Sequence, residues 1–69
     1  MNTVNVIEVN ETIQSLHAFE DNTQGNIDAE LLFGKIALEN GANEKQLDFY
    51  IENGFYSNGD YTVYLVHSS

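Results

Sequence analysis

Cysteine and arginine are absent from this 69-residue chain, and lysine occurs only twice. Without cysteine there is neither a disulfide framework nor a thiolate metal site, which excludes the zinc-finger, ferredoxin and disulfide-stapled secreted classes. Two lysines cannot build a basic patch, which excludes direct binding of nucleic acid by neutralising phosphates. No run of 18 apolar residues occurs, and the first ten residues hold no basic cluster and no long apolar stretch. The expectation is therefore a cytoplasmic chain with no membrane span and no standard export signal. HxH and HExxH spacings, the EF-hand order, a phosphate-cradling glycine run and a nucleophile motif are all missing, so no catalytic residue, metal or cofactor is expected.

Against these absences stand eleven acids and a formal net charge of −9. Any charged partner is expected to be basic. Nine asparagines accompany the two lysines although AT-rich codon usage enriches both, so lysine looks selected against. Apolar residues make up 42% and aromatics 12%, enough for a core and too much for a disordered acidic tail. A chain of this length forms one domain and buries only about 60% of its unfolded surface, so its stability is marginal. Confining eleven acids in a small globule costs electrostatic work, which is expected to raise the average carboxylate pKa on folding.

The pattern along the chain predicts an α+β domain. Thr3 to Val9 reads as a strand with Val4 and Val6 on one face and Ile7 and Val9 on the other. Asn10-Glu11 is a candidate reversal into a second strand, Thr12 to Glu20, in which Leu16 and Ala18 alternate with Ile13, His17 and Phe19. The polar stretch Glu20 to Asn26 reads as a loop, with Asn26 as N-cap of a helix from about Ile27 to Asn40, stopped by Gly41. On its wheel Ala29, Leu32, Phe33, Ile36 and Ala37 form one face, and Leu31, Gly34 and Leu38 a second stripe, so burial on two sides is expected. Asn43-Glu44-Lys45-Gln46 resembles a capping box opening a second helix, with core face Leu47, Tyr50 and Ile51, that Gly54 ends. Asn58-Gly59 marks a hairpin and allows a type I′ turn into the last strand, Tyr61 to His67. The expected architecture is a three- or four-stranded antiparallel sheet with two helices inserted before the last strand, ββααβ, or ββααββ if Phe55-Tyr56 forms a strand.

Three groups of residues are candidates for interaction. Glu44, Asp48 and Glu52, at i, i+4 and i+8, form a row of carboxylates about 6 Å apart if the helix is continuous. That spacing is comparable to the phosphates of one nucleic-acid strand; the plainer reading is a solvated acidic face. Phe49 stands beside the row, either wedged against the first helix, the preferred reading, or exposed as an aromatic anchor. Ile7, Val9, Tyr64 and Val66 lie where two short helices cannot cover the sheet, and suggest self-association, a homodimer, or a partner surface. His17 and His67, with Glu20 or Asp21, are the weak alternative of an acid-base or metal group.

In its small size, acidity, lack of cysteine and tail Gly54-Phe55-Tyr56-Ser57-Asn58-Gly59-Asp60-Tyr61-Thr62-Val63-Tyr64-Leu65-Val66-His67-Ser68, the chain resembles short orphan proteins of phages and mobile elements. Among these are the anti-CRISPR and anti-restriction inhibitors, some of which imitate nucleic acid. The resemblance implies a DNA-mimicking inhibitor that occupies the basic surface of a host nucleic-acid-binding complex in the host cell cytoplasm. The alternative is a homo-oligomeric structural or accessory domain whose acidity maintains solubility.

Overall fold

The computed structural model describes residues 2–12 and 14–68; Ile13, expected in the second strand, lies outside them. The elements are β1 (Thr3–Val9), β2 (Gln14–Glu20), α1 (Thr23–Glu39), a 3₁₀ turn (Glu44–Gln46), α2 (Leu47–Asn53), β3 (Phe55–Asn58) and β4 (Tyr61–Ser68). The α+β class and the ββααββ order are as expected. The helices precede the β3–β4 hairpin, however, and not the last strand alone. All strand pairs are antiparallel, in the order β2-β1-β4-β3, so the first and last strands form the sheet centre.

Strand periodicity decides what each face holds. Val4 and Val6 of β1, Val63 and Leu65 of β4 and Tyr56 of β3 are buried in one cluster with Ala29, Phe33, Ile36 and Ala37 of α1. This is the helix face expected from the α1 wheel. Leu47, Tyr50 and Ile51 of α2 pack against the cluster and are partly buried. The second α1 stripe departs from expectation: Leu31 is 68% exposed and Leu38 is also exposed, because α2 is only seven residues long and covers one flank of α1.

The ends of the elements correct several local readings. Asn22, not Asn26, caps α1, its Oδ1 accepting from the Gly25 amide at 2.7 Å. Asn26 sits inside the helix, where its Nδ2 donates to Asp21 Oδ1 and to the Asn22 carbonyl. Of the stretch read as a loop, Thr23 to Asn26 thus form the first turn of α1, and only Asp21 and Asn22 connect it to β2. Gly25 is there because the helix starts against the end of β2: a Cβ at this position would lie 1.8 Å from the Glu20 carbonyl oxygen. The stop at Gly41 holds, with φ +98, and Gly54 ends α2 with φ +83. Both are left-handed positions that favour glycine.

The reversal between β1 and β2 is wider than two residues, since Val9 pairs with Gln14. Asn10 Oδ1 accepts from the Thr12 amide at 2.9 Å, an Asx turn that takes Thr12 out of the strand. In the second hairpin Asn58 pairs with Tyr61, which makes Gly59-Asp60 the turn pair. Only Gly59 has positive φ, +62, the requirement of a II′ turn; the I′ turn needs it at both central residues. The α2 capping box forms by half: Asn43 Oδ1 accepts from the Lys45 amide, while Gln46 Oε1 accepts from the Tyr50 hydroxyl instead of reaching back.

Two glycines of α1 are expected to respond to alanine with opposite sign. Gly25→Ala drives a Cβ into backbone and should cost about 2 kcal/mol or more. Gly34→Ala meets only Leu47 Cδ1, at 3.9 Å, and should stabilise the fold by about 0.5–1 kcal/mol through helix propensity. Urea denaturation of both variants checks this; equal signs would contradict the packing described.

Candidate functional site

The helical side of the molecule carries an open apolar groove. Ile27, Leu31, Gly34 and Leu38 of α1 face Leu47 and Ile51 of α2 across a space of about 750 Å³. The α1 positions recur at i, i+4, i+7 and i+11, one stripe of a 3.6-residue helix. Gly34 forms the floor, and since a Cβ there would make an ordinary contact, helix packing does not require glycine at this point. Glu30, Glu39 and Asp48 stand along the groove with Lys35 as the cation of its lining. Six of the eleven acids, Asp28, Glu30, Glu39, Glu44, Asp48 and Glu52, belong to the helices and the 3₁₀ turn.

The carboxylate row occupies this side but is not a regular ladder. Asp48 and Glu52 share α2 at i, i+4, whereas Glu44 lies in the 3₁₀ turn, where Gln46 at φ −107, ψ 5 interrupts helical geometry. The continuous α-helix needed for i, i+4, i+8 is therefore absent. All three are exposed, and of them Asp48 lines the groove. Phe49 is 62% exposed, its ring edge-on to Tyr50 with centroids 5.9 Å apart, so the reading that wedged it against α1 is overturned.

Among the described residues no helix lies over the opposite face of the sheet. Register aligns Leu16, Ile7, Tyr64 and Phe55 in one row across all four strands, with Val9 and Val66 in the adjacent rows. Leu16 is 64% exposed, and Phe55, Tyr64 and Val66 are also exposed, while Ile7 and Val9 are half-buried by their neighbours. The four residues named from sequence do share this face. Leu16 and Phe55 were missed, although strand alternation relative to Ile7 and Tyr64 would have found both.

The two histidines do not meet, because β1 lies between β2 and β4. His67 Nε2 pairs with Asn26 Oδ1 at 3.0 Å, and His17 Nε2 with Glu8 Oε2 at 2.9 Å. Glu8 Oε1 accepts from the Tyr61 hydroxyl at 2.7 Å. Sequence reasoning missed this trio, since its members are separated by up to 53 residues. The Tyr61 hydrogen bond, with a smaller contribution from His17, holds the Glu8 carboxyl below its ordinary pKa against the opposing effect of burial. Burial and the adjacent Glu8 push the Tyr61 hydroxyl upward. The trio ties three strands together, His17 on β2, Glu8 on β1 and Tyr61 on β4. Among the described residues no three His, Asp or Glu side chains converge as a metal group, and no helix is long and apolar enough to cross a membrane.

No protein family matches the chain, and searches of curated proteins and of solved structures likewise give no match.

The sign of the pH dependence at Glu8 runs against the general expectation of raised carboxylate pKa values. A depressed folded pKa contributes stability above the usual carboxylate range and loses it as pH falls through the folded value. Tyr61, raised, contributes below the ordinary tyrosine range and loses it as pH rises beyond about 10. Tyr61→Phe should therefore cost about 1–2 kcal/mol at pH 7 and less near pH 3, with the Glu8 carboxyl titrating higher by NMR. Equal destabilisation at both pH values would show that lost packing, not the hydrogen bond, is responsible.

Proposed function

We propose that the chain is a non-enzymatic inhibitor, a binding module whose acidic helical side occupies the Lys/Arg-rich groove of a nucleic-acid-binding effector protein of the CRISPR or restriction type. The observation that carries this reading is the α1/α2 groove, an apolar floor edged by Glu30, Glu39 and Asp48. Carboxylates attract a basic surface over long range and raise the association rate, while buried apolar contact supplies affinity at short range. The occupant that fits both features is a basic segment with an apolar face, such as a helix carrying Lys or Arg beside Leu or Ile. Gly34 fits the same scheme, because a glycine not required by helix packing leaves room for an apolar side chain to reach the floor. Nucleic acid and this chain then compete for one basic surface. With Glu44 displaced onto the 3₁₀ turn, the competition rests on charge density around an apolar anchor and not on a strict copy of phosphate spacing.

The test is displacement of labelled DNA from a panel of such effectors. Displacement is expected, and it should weaken between 0.15 and 1 M salt as the Debye length falls from about 8 Å to about 3 Å. Replacing Glu30, Glu39 and Asp48 together by glutamine should weaken it about tenfold or more, equivalent to about 1.4 kcal/mol. Leu31→Lys should do the same at unchanged melting temperature, and Gly34→Ala should weaken binding while stabilising the fold. The Glu44, Asp48, Glu52 triple glutamine variant should have a smaller effect, since only Asp48 lines the groove. Failure to displace DNA from any effector, or an unchanged titration in the groove variants, would overturn the reading.

A further inference from the structure

We infer that the uncovered sheet face is a homodimer interface, a site independent of the helical groove. The first observation is the row Leu16, Ile7, Tyr64 and Phe55, flanked by Val9 and Val66, which gives all four strands an apolar outer stripe. An antiparallel sheet with one solvated face ordinarily alternates apolar-in with polar-out. Here both alternations are apolar at the centre.

The second observation selects the occupant. In β1, β3 and β4 no acid or lysine occupies a described position of this face, and in β2 only Glu20, at the strand end, does. The remaining polar positions, Thr3, Asn5, Gln14, Thr62 and Ser57, are uncharged. A basic partner gains little from such a surface. A second copy of a chain with net charge −9 is repelled from the helical side and meets almost no like charge here. Packing two such faces about a two-fold axis sets the sheets about 10 Å apart and makes the contact isologous, each copy's row crossing the other's. The apolar stripe offers on the order of 500 Å² per copy, at the weak end of specific interfaces, which matches a dimer that forms at micromolar concentration. In that dimer the two helical sides point outward in opposite directions, leaving both grooves open.

Sedimentation equilibrium of the full chain tests the inference. A monomer–dimer equilibrium with a dissociation constant of about 10–100 µM is expected, and it should tighten with added salt as the residual repulsion is screened. Leu16→Lys and Phe55→Lys, both at exposed positions, should each weaken the dimer at least tenfold with unchanged circular dichroism. Leu31→Lys, on the opposite side, should leave it intact. A chain monomeric to about 1 mM, a dimer that survives both sheet-face variants, or one that Leu31→Lys dissociates would overturn the proposal. Each result is independent of the DNA-displacement experiment, so the two readings fail separately.

Discussion

The pairing of the first strand with the last holds the rest of the molecule in place. β1 against β4 aligns Val6 with Leu65 and Glu8 with Val63, and it joins two hairpins that would each be marginal alone. Only when these strands meet do Val4, Val6, Val63 and Leu65 form a surface wide enough for Phe33, which is fully buried. The same pairing brings the Tyr61 hydroxyl to the Glu8 carboxylate, a polar contact at the sheet centre that also reaches β2 through His17. The contact joins the two ends of the chain, so loop closure costs entropy before the core can repay it.

A helical layer this small leaves apolar surface over. α1 covers the inner sheet face, and α2, seven residues long, covers only one flank of α1. What remains is a groove on one side of the molecule and an apolar stripe on the other. Their electrostatic settings differ: the groove lies among the helical acids, the stripe on a face nearly free of charge. On the two readings proposed above, this difference would separate two kinds of contact in a protein of net charge −9, one with basic surfaces and one with its own kind. Salt would then act on the two in opposite directions, because screening removes attraction in the first case and repulsion in the second.

The polar ties show how the layers are fixed to one another. The Asn40 carbonyl at the end of α1 accepts from both the Tyr56 hydroxyl and Asn58 Nδ2, which fastens the helix C-terminus to β3. At the other end Gly25 lets α1 begin directly against Glu20, and Asn26 reaches His67 of β4. Several of the asparagines that look merely abundant in the sequence serve as caps and ties at element ends, where a short amide can both donate and accept.

Local order alone determined a good part of this protein. Period-two alternation separated Val4 and Val6 from Ile7 and Val9, a 3.6-residue period picked out Ala29, Phe33, Ile36 and Ala37, and Gly41 and Gly54 stopped the helices, because each depends only on near neighbours. The start of α1 was not legible, since Asn, Thr and Gly read as loop until the closeness of Glu20 gives Gly25 its reason. Asn58-Gly59 marked the hairpin, but which two residues turn depends on the register of Asn58 with Tyr61. Whether Leu31, Leu38 and Phe49 are buried depends on how far α2 reaches, and the meeting of Glu8, His17 and Tyr61 depends on the order of strands. Those are long-range outcomes: periodicity names the face on which a residue lies, and only the packed arrangement of all the elements decides what, if anything, covers that face.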